Sequence, residues 1–168
     1  MAGGETDGAA GPDGHRRFAR HLDALAGVAP EDEAGLVASV LRDPDETMAQ
    51  SAVGRHLDNR ARALLTGGHL HGWVRAMTSA VGEREFLTGR LREWALLAAL
   101  VREETWSAAE VTTASDWFQR RAVEMVTSPR VLALLAAEGG TRRVRVAAGR
   151  RRAVGSEGGA GDACGRPG

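Results

Sequence analysis

One helix–turn–helix pattern occurs twice in this chain, 96 residues apart. The first copy runs Leu36 … Asp43-Pro44-Asp45 … Met48 … Ala52, and the second runs Leu132 … Gly139-Gly140-Thr141 … Val144 … Ala148. In each, an apolar helix breaks at a turn. A second helix then opens on an apolar residue followed four positions later by alanine. Residues four apart lie on one helix face, so both second helices start with a face that must be covered. A helix pair with such a face needs a neighbouring helix. The pattern therefore points to stacked helices. No stretch alternates with period two, which predicts no sheet.

The helix signals between the two copies read as seven or eight helices within residues 15–152. The first covers about 15–26, with Phe18, Leu22 and Leu25 on one face and Gly27 ending it. Pro30 is placed to open the second, with Glu31, Asp32 and Glu33 at its positive dipole end. Asp43 is expected to cap the third, with Pro44 at its first position and Glu46 completing a capping box. The fourth spans about 69–80. The fifth, about 83–102, carries the widest apolar stripe, including Phe86, Leu87, Leu91, Trp94, Leu97 and Val101, and is expected at the centre of the core. Ser107 and Glu110 form a capping box for the sixth, flanked by Trp106 and Val111 as a hydrophobic staple. A break is expected in it near Thr113–Ser115. Pro129 opens a seventh helix, Gly139-Gly140 closes it, and Thr141 caps an eighth over about 142–152. The ends, 1–14 and 153–168, carry five and six glycines and little to bury, so they are expected to be disordered.

The Asp43-Pro44-Asp45 turn and the Val144-Arg145-Val146-Ala147-Ala148 helix start resemble the HEAT repeat family. In that family an Asp-Pro-Asp turn often joins an outer to an inner helix, and the inner helix opens Val-Arg-x-x-Ala. Each copy here keeps one half of the signature. The first has Met48-Ala49 for Val-Arg, and the second has Gly139-Gly140-Thr141 for the turn. The good match covers about a quarter of the chain; residues 69–127 fit loosely. The resemblance implies an all-α fold, a short right-handed α-solenoid of antiparallel helix pairs. It also implies a surface that binds other macromolecules.

Composition narrows the class. The chain has 168 residues, enough for one sizeable core, and all 22 of its basic residues are Arg. The single cysteine, Cys164, allows no disulfide within the chain. The N-terminus is polar and acidic, without a basic segment and apolar stretch, and the longest apolar run is Trp94 to Val101. Neither suits a secretory signal or a membrane span, so a cytoplasmic, membrane-free protein is expected. Residues 1–110 hold 12 Arg and 17 acids, net −5; residues 111–168 hold 10 Arg and 5 acids, net +5. Self-association through opposite ends, or closer packing of the two halves, would both use this split.

Arg142, Arg143, Arg145, Arg150, Arg151 and Arg152 fall within eleven residues that contain no acid. On a helix, Val144, Ala147 and Ala148 mark the buried face, Arg151 shares it, and the other five Arg flank or oppose it. Arg142, Arg143, Arg145, Arg150 and Arg152 are thus candidates for contact with phosphates or an acidic partner. A solvated helix end complementing the C-terminal dipole is the plainer reading. Trp117, with Arg120 and Arg121 beside it, is the candidate surface aromatic. Trp73, Trp94 and Trp106 are explained by packing. His56, His69 and His71 are read as surface or helix-end side chains, because His-x-His does not place two rings on one helix face. No metal and no cofactor is expected.

The chain contains no Gly-x-Ser-x-Gly, P-loop, His-Glu-x-x-His or Gly-x-Gly-x-x-Gly. The expected function is therefore a non-enzymatic protein-interaction or scaffold module. The alternative is nucleic-acid binding through residues 142–152, although such domains are usually basic overall. A remote enzymatic variant is a HEAT-like DNA glycosylase, for which Asp116, Trp117 and Arg120 supply the residue types.

Overall fold

In the computed structural model, residues 12–157 are described, and among them the chain is all-helical, with no strand. Nine helices follow one another: α1 (Pro12–Ala26), α2 (Glu33–Val40), α3 (Glu46–Leu64), α4 (Leu70–Val81), α5 (Glu85–Val101), α6 (Ala108–Thr113), α7 (Asp116–Met125), α8 (Pro129–Glu138) and α9 (Arg142–Glu157). No helix among the described residues is long and apolar enough to cross a membrane. Most of the expected tails lies outside the described residues. Residues 12–14 begin α1, and residues 153–157 continue α9.

The helix count exceeds the expected seven or eight because the break near Thr113–Ser115 is complete. Ala114 is extended, and the Ser115 hydroxyl accepts from the Phe118 N–H at 3.2 Å, starting α7 as a separate helix. Two starts differ from the sequence reading. Pro30 does not open α2: Ala29 and Asp32 close a turn by a backbone hydrogen bond, and the helix begins at Glu33. Asp45, not Asp43, caps α3. Its carboxylate accepts from Met48 N–H at 3.0 Å and its carbonyl from Ala49 N–H at 2.9 Å. Asp43 instead accepts from Asp45 N–H at 2.9 Å and pairs with His21, holding the turn ahead of the cap.

Contacts divide the described chain into two compact units. The first comprises residues 12–62 and Gly72–Leu91. Its core gathers Leu25 of α1, Val37 and Val40 of α2, Ala49, Val53 and Leu57 of α3, Met77 and Val81 of α4, and Leu87 and Leu91 of α5. The apolar positions recur at three- and four-residue steps, which places them on one stripe of each helix.

The second unit comprises Ala63–His71 and residues 92–157. Trp94 is fully buried there and meets the Trp117 ring edge-on at 5.4 Å between centroids. The α8–α9 pair is its most extensive helix contact, and α9 also packs on α7. Val131, Leu132 and Leu135 of α8 and Val144 and Ala148 of α9 are buried. The α8–α9 turn requires glycine at position 139. A Cβ there would stand 2.5 Å from the Leu135 carbonyl and 2.8 Å from a Val144 methyl. Thr141 then caps α9 as its sequence indicates, accepting from Val144 N–H at 3.2 Å.

Candidate functional site

Two sites carry the chemistry, one in each unit. The first lies on α9. Helical geometry places Arg142, Val146, Arg150 and Val154 at four-residue steps along one ridge, with Arg143 and Ala147 beside it. Arg142, Arg143, Arg150 and Arg152 are exposed, and none has an ion-pair partner among the described residues. Val146 and Val154 are also exposed, Val154 at 71%. Arg142, Arg143, Val146, Ala147 and Arg150 line a shallow depression. Arg150 also lines a second one, with Arg152, Val154, Pro129 and Leu132. The surface is thus a cationic strip interleaved with aliphatic side chains.

Two members of the Arg cluster are spent inside the fold. Arg145 donates to the Gly139 carbonyl at the end of α8, at 2.6 Å. Arg151 donates to the Val123 and Glu124 carbonyls at the end of α7. Both satisfy carbonyls that a helix terminus leaves without an intrahelical donor. Arg145 therefore leaves the set of contact candidates, and Arg142, Arg143, Arg150 and Arg152 remain.

The candidate surface aromatic is reassigned in the same way. Trp117 is half-buried against Trp94. Arg120 pairs with Asp116 at 3.1 Å and Arg121 with Glu124 at 2.9 Å. Asp116 also accepts from the Thr141 hydroxyl at 3.3 Å. These local pairs account for the Asp116, Trp117 and Arg120 triad without a ligand.

The second site was not read from the sequence. Glu33, expected as a dipole-facing acid at a helix start, is 1% exposed. Three side chains converge on it. Its Oε1 accepts from His56 Nε2 at 2.7 Å, Trp73 Nε1 at 3.0 Å and Arg60 Nε at 3.2 Å; its Oε2 accepts from Arg60 Nη2 at 3.3 Å. His56, expected at the surface, is 5% exposed. His71 pairs with Glu104 at 3.3 Å, and His69 is exposed. The network ties α2, α3 and α4 of the first unit together. A buried carboxylate is tolerated only with this many donors.

Burial alone would raise the Glu33 pKa. The hydrogen bonds from Arg60, Trp73 and His56 outweigh it and hold the carboxyl below its ordinary 4.5. Burial pushes His56 below its ordinary 6.5, against the upward pull of the Glu33 hydrogen bond. His56 is therefore neutral at pH 7. Because a carboxylate only accepts, the proton sits on Nε2 and Nδ1 carries the lone pair.

Both shifts are downward, so the unfolded chain binds more protons than the folded one below these values. Stability is expected to fall as pH drops below 6.5, when unfolded His56 protonates first, and again below 4.5 for Glu33. Thermal melts from about pH 7.5 down to about pH 3 would show both declines. His56→Gln, whose amide still donates to Glu33, is expected to flatten the upper part of that decline. An unchanged slope would mean that His56 does not contribute.

A second buried polar side chain, Gln119, is 2% exposed. It donates to the Thr112 and Ala114 carbonyls at 3.0 and 3.2 Å and accepts from Gly140 N–H at 2.8 Å. It joins the α6–α7 break to the α8–α9 turn, which positions the start of α9. A scan against protein-family models, a search of curated proteins and a search of solved structures find no match to this chain.

Proposed function

We propose that this chain is a non-enzymatic protein-interaction module of HEAT-like, stacked-helix type, and that it engages its partner through the outer face of α9. The observation that carries this reading is the exposed strip Arg142, Arg143, Val146, Arg150 and Val154. These three Arg and the nearby Arg152, without acidic partners among the described residues, create a positive field, and two exposed valines add apolar surface. An acidic protein surface with aliphatic side chains among its carboxylates complements both features. Bidentate guanidinium–carboxylate pairs would supply orientation. The helix-pair pattern supports a short right-handed solenoid, since α2–α3 and α8–α9 occupy the two copies and Met48, Ala52, Val144 and Ala148 are all buried.

Nucleic acid is the second reading, favoured by the absence of any acid in residues 142–156. The valines favour protein, because phosphates offer them no contact.

The test is capture from the native host with nuclease treatment, using the wild type and the Arg142→Gln/Arg143→Gln/Arg150→Gln triple variant. The expected result is a partner that survives nuclease and is lost with the triple variant, while circular dichroism stays unchanged. Loss of all partners to nuclease, together with duplex binding that weakens steeply with salt, would replace this reading with the second. The triple variant excludes Arg145 and Arg151, because removing either disturbs a helix end as well as the surface.

A further inference from the structure

The geometry points to a small-molecule site in the first unit, beside His56 between α1 and α3, that takes a small zwitterion of the α-amino acid class. The depression there measures about 390 Å³. It is separate from the α9 surface and does not depend on the reading given for it.

His56 forms part of its lining and is the buried anchor. The Nε2–H of His56 is committed to Glu33, and the ring makes no other hydrogen bond among the described residues. Nδ1 is thus an unused acceptor with its tautomer set from behind by a buried carboxylate. That arrangement fixes ring orientation before any ligand arrives.

Arg60 also lines the depression, with its guanidinium held by Glu33, and the rest of the lining divides by chemistry. Asp23 is exposed and its carboxylate has no ion-pair partner among the described residues, so it is a second acceptor. The C-terminal end of α1 at Ala26 adds partial negative charge. On α3, Arg55 and Asn59 make no side-chain hydrogen bond among the described residues, and they present donors. Leu22 and Leu25 supply an aliphatic wall. Asp23 and the end of α1 as acceptors on one wall, Arg55 and Asn59 as donors on α3 with His56 between them in sequence, and an apolar wall match three groups of one molecule: an ammonium, a carboxylate and an aliphatic side chain. A simple anion would be repelled by the Asp23 carboxylate, and a simple amine by the Arg55 guanidinium.

The test is a titration of the full chain, labelled with 15N in histidine, with L-leucine as the probe. The His56 resonances are identified by their loss in His56→Gln. The expected result is a saturable shift of the His56 Nδ1 resonance, with acetate and isobutylamine each producing much weaker effects. Asp23→Asn and Arg55→Gln alter exposed side chains outside the buried network. Each is expected to weaken leucine binding about tenfold, the scale of one charge-assisted contact. The proposal is overturned if leucine leaves His56 unshifted, if neither substitution weakens it, or if acetate or isobutylamine alone binds as well as leucine.

Discussion

Glu33→Ala is expected to destabilise the chain by about 3–5 kcal/mol, the range for removing one partner of a buried charged network. The carboxylate is 1% exposed and is the shared acceptor for His56, Trp73 and Arg60. Alanine leaves the His56 and Trp73 N–H groups facing a void, and each such orphan costs about 1–3 kcal/mol. Arg60 is 35% exposed and can turn to water, so its share is the smallest. Glu33→Gln keeps one carbonyl acceptor in place and should cost clearly less than alanine. Urea unfolding followed by circular dichroism measures both. Equal losses for the two variants would mean that the carboxylate charge, not side-chain volume or a neutral acceptor, holds the site.

Leu91→Ala is expected to cost about 2–5 kcal/mol through lost burial and the cavity left behind. Leu91 is fully buried in the first unit's core, which draws on five helices. Ser107→Ala provides the contrast. Ser107 caps α6 by accepting from Glu110 N–H at 3.2 Å, while the Glu110 carboxylate accepts from Ser107 N–H at 2.9 Å. Losing that cap should cost about 1 kcal/mol. A larger loss at Ser107 than at Leu91 would contradict the placement of the core along α5.

The two large effects differ in how far the sequence announced them. Leu91 lies on a stripe whose period alone requires burial. Nothing local distinguishes Glu33 from a solvated acid, because an acid in a first helical turn is favourable with or without burial. Its donors stand 23, 27 and 40 residues away. A tryptophan on a core stripe, a lone histidine within a helix and an arginine on the same helix give no joint pattern along the chain.

The sequence by itself determined the helices and most of their ends. Ser107 with Glu110, Pro129, Thr141 and Gly27 act through neighbours three or four residues away, and such short-range bonds form wherever the chain lies. Tertiary structure decided which polar groups are in use. Arg145 reads as surface charge beside Arg143 and Arg150, and Arg151 falls on the buried face with no partner visible in the sequence, yet the two close the ends of α8 and α7. Gln119 reads as an ordinary helix residue, yet it is buried at the α8–α9 turn. The reason is physical: a long polar side chain has the same local propensity whether its partner is water or a distant carbonyl. Only packing removes the water and makes the partner necessary.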